Sequence, residues 1–142
     1  MNDAAKTDYS GKTVLLVDDD IDFQAQIEIF LKKLSFTVVT GESQEEGEAL
    51  IRETDYDLAI FDLMMENQDS GFILSYKSKQ AKPDVPVILV TAVSKETGMQ
   101  FDTATEESRA WIKADSILNK GLRHEQLERE IEKLMEAAVT NK

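Results

Sequence analysis

The chain alternates five times between short apolar runs and amphipathic helical patterns, and this rhythm limits the folds open to it. The runs are rich in Val, Ile, Leu and Phe without polar alternation, which is typical of strands buried on both faces. They cover residues 13–17, 36–40, 57–61, 86–90 and 115–118. Short connections between strand and helix patterns favour right-handed crossovers. The sequence therefore predicts an α/β fold, a doubly wound parallel sheet with helices on both faces.

Helix patterns and their start signals support this reading. Two apolar stripes at helical spacing consist of Phe23, Ile27, Phe30, Leu31 and Leu34, and of Leu127, Ile131, Leu134, Met135 and Ala138. Asp20 is the expected N-cap of the first helix, Ser43 and Glu46 form a capping box for the second, and Asp69 or Ser70 caps the third. Between residues 91 and 114 we expect a long loop followed by a short helix at 106–112, with Trp111 as a lid or core contact.

Length and composition exclude several classes of protein. A chain of 142 residues is the size of one domain, predicted over 13–138 with flexible tails at 1–12 and 139–142. The absence of cysteine excludes thiol nucleophiles, thiolate zinc sites and disulfide-stapled folds. A formal charge of −12 opposes direct binding to nucleic acid or anionic membranes. No apolar run is long enough to span a bilayer and no secretory signal is evident, so we expect a cytoplasmic protein.

Polar side chains follow the predicted strands at one edge of the sheet, where ligands bind in folds of this kind. Asp18 and Asp19 follow the first strand, Asp62 the third, Thr91 the fourth and Lys120 the fifth. If the first and third strands are neighbours, their carboxylates repel by roughly 3 kcal/mol per pair at about 5 Å, so the cluster requires a cation. Hard oxygen ligands favour Mg²⁺, and Lys120 with Thr91 would hold phosphoryl oxygens. The set indicates a phosphoryl-transfer site with a carboxylate nucleophile.

Taken singly, these residues have simpler interpretations. Asp20 is better explained as a helix-start carboxylate, and a threonine or lysine at a strand end is a weak signal alone. His124, the only histidine, is expected to be a solvated residue early in the last helix rather than a ligand or phosphohistidine. The hypothesis depends on the whole constellation.

Four segments carry a resemblance to a known family: VLLVDDD at 14–20, LAIFDLMM at 58–65, ILVTA at 88–92 and ADSILNK at 114–120. Over nearly the whole chain, these segments resemble the receiver domains of two-component response regulators. The resemblance implies a five-stranded sheet in the order 2-1-3-4-5. It also implies that Asp62 accepts the phosphoryl group, and that Asp18, Asp19, Asp62 and the backbone carbonyl of Met64 bind Mg²⁺.

The same resemblance assigns Thr91 and Lys120 to the phosphoryl oxygens and gives Thr91 and Ile117 a switching role. Ile117 stands where the family has an aromatic residue. Gly121 replaces a proline that usually follows the lysine through a cis bond. Glu66 likewise replaces a proline, and the loop after Asp62 has one residue more than usual.

The expected function is that of a stand-alone receiver rather than an enzyme acting on external substrates. A sensor histidine kinase or phosphotransfer protein would supply the phosphoryl group, and the signal would pass to a downstream protein target. Homodimerisation on phosphorylation is left open. One alternative is a Mg²⁺-dependent aspartyl phosphatase, although Met64 stands where such enzymes carry a second acid. Another is a degenerate receiver that binds proteins independently of phosphorylation.

Overall fold

A computed structural model describes residues 9–67, 69–92, 114–121 and 123–140. In chain order the elements are β1 (Thr13–Val17), α1 (Ile21–Lys33), β2 (Thr37–Gly41), α2 (Gln44–Glu53), β3 (Leu58–Asp62), α3 (Ser70–Ala81), β4 (Val87–Thr91), β5 (Ser116–Asn119) and α4 (His124–Thr140). All the predicted strands are present, and the last four are shifted by one residue along the chain. The loop and helix predicted over residues 91–114, with Trp111, lie almost entirely outside the described residues.

The strands form one parallel sheet in the order β2-β1-β3-β4-β5, which confirms the predicted fold class. The inner strands β1, β3 and β4 are almost wholly buried, whereas β2 and β5 at the edges are partly exposed. This difference follows from position, because an inner strand has a neighbouring strand on each side and an edge strand has one.

Successive side chains of the strands enter two separate cores, one on each face of the sheet. On one face Val14 and Leu16 of β1 pack with Ile27 of α1 and Ile131 of α4. On the other face the alternate residues of the strands pack with Ile51 of α2 and Leu74 of α3. The apolar stripes predicted from helical spacing therefore cover the first face. No helix within the described ranges is long and apolar enough to cross a membrane.

Packing among the described residues reaches into the segment that the sequence predicts as an N-terminal tail. Tyr9 falls in the predicted flexible tail over residues 1–12, yet it is buried and its ring stacks on Phe36 at 4.4 Å between centroids. Its backbone N–H also donates to the carbonyl oxygen of Leu34 at 3.3 Å. A single aromatic residue within a polar segment gives no periodic signal, so the contact could not be read from the pattern. At the other end, α4 continues to Thr140, two residues into the second predicted tail.

Two of the three predicted helix caps are present. Asp20 accepts a hydrogen bond from the first turn of α1, and Ser43 accepts one from the backbone N–H of Glu46 at 3.1 Å. Asp69 occupies the N-cap position of α3, but in the part of the chain that the structure describes its side chain makes no capping hydrogen bond. Ser70 is already inside that helix.

Gly71 allows α3 to begin directly against the end of β3. A Cβ atom at this position would lie 2.5 Å from Cα of Leu63 and 2.6 Å from the carbonyl oxygen of Asp62, closer than real atoms approach. The Gly71 N–H donates to the carbonyl oxygen of Leu63 at 2.8 Å. The absence of a side chain therefore lets the backbone of α3 support the strand that ends in Asp62.

We predict that Gly71→Ala lowers the free energy of unfolding by about 1 to 3 kcal/mol, because backbone atoms must move to admit the methyl group. Urea denaturation of the variant and the wild type would measure this loss. Gly121→Ala is the matched control, since its Cβ would meet a side-chain atom, Oδ1 of Asn119, at 3.2 Å. Equal losses in the two variants would show that the close approach at Gly71 is not what costs stability.

Candidate functional site

Three carboxylates meet at the C-terminal edge of β1 and β3. Asp62 is the last residue of β3, and Asp18 follows Val17, which pairs with Phe61 in the parallel register. One carboxylate oxygen from each of Asp18, Asp19 and Asp62 lies within 4.8 Å of the others. Asp18 and Asp62 are buried, whereas Asp19 is exposed. The pairing of β1 with β3 thus produces the cluster that the sequence predicts.

Lys120 reaches this cluster from the end of β5, the edge strand that lies two positions from β3 in the sheet. Its Nζ atom lies 3.1 Å from Oδ2 of Asp18 and 3.4 Å from Oδ2 of Asp62. Its backbone N–H donates to the carbonyl oxygen of Thr91 at 2.9 Å, which fixes the residue just after β5. Burial alone would lower the pKa of the ammonium group, but the charges of Asp18 and Asp62 outweigh it and raise the pKa. Lys120 is therefore a fixed positive charge between two carboxylates.

The environment of Asp62 opposes its ionisation. Burial, the largest cause, and the neighbouring charge of Asp18 together raise the pKa of its carboxyl group to about 7, although the charge of Lys120 lowers it in part. A cation that binds beside Asp62 would restore the ionised form, because an added positive charge stabilises the carboxylate. A bound cation would therefore stabilise the ionised carboxylate of Asp62.

Asp18 is held in place through its backbone as well as its side chain. Oδ1 of Asp18 accepts a hydrogen bond from the backbone N–H of Asp20 at 2.8 Å. The buried side chain of Gln24 donates from Nε2 to the carbonyl oxygens of Asp18 and Gly41, at 3.2 and 2.8 Å. Gln24 thereby joins the ends of β1 and β2 to α1.

Gln24 is not among the site residues predicted from the sequence, although the sequence contains a signal for it. The buried positions of α1 are Gln24, Ile27 and Leu31, at spacings of 3 and 4 residues. A polar residue in register with a buried apolar stripe indicates a buried hydrogen-bonding role. Phe23, a member of the predicted apolar stripe, packs against the core, and the centroid of its ring also lies 4.8 Å from Nζ of Lys120 as a cation–π contact.

Thr91 ends β4 one residue beyond Val90, the register partner of Asp62. Its Oγ1 atom is buried and has no hydrogen-bond partner among the residues that the structure describes. Leaving such a hydroxyl unpaired costs about 1 to 3 kcal/mol, so a ligand atom that accepts its hydrogen bond would relieve this cost. The carbonyl oxygen of Thr91 already accepts a hydrogen bond from the backbone N–H of Lys120.

The remaining predicted site residues lie close by. Met64 is half-buried two residues after Asp62, and within the described ranges its carbonyl oxygen accepts no main-chain hydrogen bond outside helices and strands. Ile117 of β5 is half-buried, pairs with Leu89 and packs into the core on the α2–α3 face. Its switching role remains a prediction.

The Lys120–Gly121 peptide is trans, and the N–H of Gly121 donates to Oδ1 of Asn119 at 2.7 Å.

His124 lies at the start of α4, and its ring packs 4.7 Å from that of Phe30. It is exposed, as expected, and it is not part of the carboxylate cluster.

The residues present fit a divalent cation with a preference for oxygen ligands. When all are ionised, the three carboxylates outnumber the single ammonium group by two charges. The donors are carboxylate oxygens, and Asp19 leaves the cluster open to solvent on one side. Such a set suits Mg²⁺, which retains several water ligands and binds through few carboxylates.

Comparison with known proteins identifies the family. The protein-family model described as "Response regulator receiver domain" matches residues 14–132 of this chain. The chain belongs to this family. Among curated relatives, this receiver is 33% identical over 89 residues to the transcriptional regulatory protein GltR of Pseudomonas aeruginosa, covering 61% of this chain and 36% of GltR. It is 37% identical over 79 residues to the transcriptional regulatory protein GlrR of Escherichia coli, covering 56% of this chain and 18% of GlrR. The chain thus matches only a minor part of each relative.

Solved structures agree on the fold. A CheY-like receiver domain protein from Methanospirillum hungatei superposes with a TM-score of 0.76 at 21% identity, covering 92% of this chain and 98% of that one. The response regulator TrrA of Thermotoga maritima, solved in complex with Mg²⁺ and BeF, gives a TM-score of 0.70 at 24% identity, covering 87% and 98%. These similarities extend over nearly the whole receiver fold.

We predict that Asp62→Asn stabilises the fold at pH 8 in the absence of divalent cations. The pKa of Asp62 is raised from 3.8 to about 7 in the folded state, so the folded protein resists an ionisation that the unfolded chain undergoes freely. The contribution of Asp62 to stability is full below pH 4 and is lost as the pH rises to about 7. The expected gain is on the order of 2 to 4 kcal/mol at pH 8 and vanishes near pH 4.

Urea denaturation of both proteins across this pH range, with a chelator present, would measure the difference. A stability difference that is the same at pH 4 and pH 8 would contradict the raised pKa of Asp62.

Proposed function

We propose that this receiver accepts a phosphoryl group onto Asp62 from the phosphohistidine of a sensor histidine kinase or phosphotransfer protein. The observation that carries the proposal is the convergence of Asp62 and Lys120 at one edge of the sheet, at 3.4 Å from Nζ to Oδ2. A carboxylate nucleophile beside a fixed cation suits the transfer of an anionic group, since the cation offsets charge on the oxygens of that group.

In the proposed reaction an Oδ atom of Asp62 forms a bond to phosphorus. The N–P bond of phosphohistidine breaks, and its electron pair returns to the imidazole ring. Nζ of Lys120 neutralises charge on the phosphoryl oxygens, and the buried hydroxyl of Thr91 donates a hydrogen bond to one of them. Both groups are positioned before the donor arrives, so little reorganisation is needed.

Asp18, Asp19, Asp62 and the backbone carbonyl of Met64 are the residues that would hold Mg²⁺. When bound, the ion would neutralise charge on the phosphoryl oxygens and favour the ionised form of Asp62. The structure of TrrA with Mg²⁺ and BeF supports this assignment by similarity of fold.

The output of the signal is proposed to be a protein contact. Several curated relatives are transcriptional regulators, and this chain corresponds to a minor part of their length. The chain carries a net charge of −12, which repels the phosphate backbone of DNA. We therefore assign it the role of an acceptor that alters binding to a downstream protein, with Thr91 and Ile117 relaying the change through packing.

The alternatives from the sequence are less well supported. A phosphatase of the aspartyl type would need a second acid at Met64, and a degenerate receiver would not need Asp18, Asp62 and Lys120 to remain in contact.

Incubation with acetyl phosphate and Mg²⁺ tests the proposal. We expect the intact mass of the wild type to rise by one phosphoryl group, and neither Asp62→Asn nor wild type with chelator to gain mass. Asp57→Asn is the matched control, because Asp57 precedes β3 at the opposite edge, where it accepts a hydrogen bond from the N–H of Thr13 at 2.9 Å. This control should be phosphorylated normally. Failure of a folded wild type to gain mass would favour the degenerate receiver instead.

A second test concerns the metal. We expect Asp19→Asn to weaken Mg²⁺ binding by roughly 10-fold or more, because it removes one charged ligand from the cluster. Isothermal titration calorimetry would measure the dissociation constant. Asp20→Asn changes the net charge equally and retains an N-cap residue for α1, so its affinity should stay within about 3-fold of wild type. Equal losses in the two variants would indicate that general charge, rather than ligation by Asp19, governs binding.

A further inference from the structure

The loop between β3 and α3 is joined to the start of α2 by Glu66. Both carboxylate oxygens of Glu66 accept from the backbone N–H of Gln44, at 3.0 and 3.1 Å. Gln44 is the first residue of α2 and follows its N-cap, Ser43. The N–H groups of a first helical turn have no partner within the helix, and they attract negative charge. Glu66 therefore occupies a natural acceptor position from another part of the chain.

The capping of α2 is shared between local and distant residues. The side chain of Ser43 accepts from the N–H of Glu46 at 3.1 Å, and that of Glu46 accepts from the N–H of Glu42 at 2.7 Å. These local bonds leave the N–H of Gln44 for Glu66. Glu66 therefore supplies to the helix start an acceptor that these local residues do not provide.

Additional bonds connect the loop, α2 and α3. Nδ2 of Asn67 donates to Oε1 of Gln44 at 3.3 Å, and Nε2 of Gln44 donates to Glu48 at 2.9 Å. Glu48 in turn forms an ion pair with Lys77 of α3 at 3.2 Å. Both neighbouring helices therefore restrain the far end of the loop.

Met64 lies on the stretch that these bonds restrain. Before it, the N–H of Leu63 donates to the carbonyl oxygen of Val90 at 2.8 Å, which continues the sheet for one residue. After it, the N–H of Met65, which shares a peptide plane with the Met64 carbonyl, donates to the carbonyl oxygen of Asn67 at 3.2 Å, and Glu66, the residue enclosed by this turn, contacts Gln44. Because Met64 has no main-chain hydrogen bond of its own in the described part of the chain, its neighbours determine where its carbonyl oxygen lies.

From this geometry we propose that Glu66 is a positioning residue for the metal site. By holding the loop against α2, it places the carbonyl of Met64 beside Asp62 and lowers the cost of ordering that ligand when Mg²⁺ binds. The inference rests on the proposed function, since it assigns Glu66 a part in the same site. Glu66 does not itself touch the metal or the phosphoryl group.

The test uses variants on both sides of the contact. Glu66→Ala removes the acceptor, and Glu66→Gln keeps one accepting oxygen without the charge. Gln44→Pro removes the donor N–H at the first helical position, where proline is well tolerated, and Ser43 before it already has an extended backbone with φ −152° and ψ 166°. Gln44→Ala is the matched control, because it loses the side-chain bonds of Gln44 but retains the N–H.

Two quantities are measured in each folded variant: the Mg²⁺ dissociation constant by calorimetry, and the hydrogen-exchange rate of the Gln44 amide by NMR where that amide exists. We expect Glu66→Ala and Gln44→Pro each to raise the dissociation constant roughly 3- to 10-fold, with Glu66→Gln and Gln44→Ala within about 2-fold of wild type. The Gln44 amide should exchange roughly 3- to 10-fold faster in Glu66→Ala. The double variant Glu66→Ala with Gln44→Pro should bind no more weakly than the weaker single variant, because both changes break one contact.

Wild-type affinity in Glu66→Ala, despite faster exchange at Gln44, would overturn the inference and leave the proposed function intact. Additive losses in the double variant would also overturn it, since they would show two independent effects. A wild type that binds no Mg²⁺ would instead overturn the proposed function, and the role of Glu66 with it.

Discussion

The confinement of Asp18 and Asp62 in one buried site is the constraint on which the rest of the structure depends. Two carboxylates at about 5 Å repel by roughly 3 kcal/mol at an effective dielectric near 20, and burial increases the cost of ionising either one. Lys120 lies within 3.4 Å of both and offsets part of this repulsion. Lys120 and Asp18 are 102 residues apart in sequence, so only the paired sheet brings them together.

The site therefore lowers the stability of the fold. The raised pKa of Asp62 and the hydroxyl of Thr91, which has no partner among the described residues, both lower the stability that the surrounding cores provide. The burial of the inner strands on both faces stabilises the fold and offsets these losses. Gly71 contributes by letting α3 begin against the end of β3, where a larger residue would displace the backbone of Asp62.

Sequence reasoning succeeds here where the signal is local or periodic. The apolar runs predict the strands, helical spacing predicts the buried faces of α1 and α4, and the chemistry of strand ends predicts the cluster around Asp62. It fails where a contact joins distant segments without a pattern, as for Tyr9 on Phe36 and Glu66 on the N–H of Gln44. Gln24 is an intermediate case, because its spacing predicts burial but not the two carbonyl groups that it joins.

The substitution of Glu66 for the usual proline changes how the loop over the site is restrained. Proline fixes its own φ and needs no partner, so the restraint that it provides is independent of the rest of the fold. Glu66 restrains the loop only while the first turn of α2 is formed, because its acceptor oxygens need the N–H of Gln44. In this receiver the order of the loop beside Asp62 is therefore coupled to the order of α2, a dependence that a proline at the same position would not create.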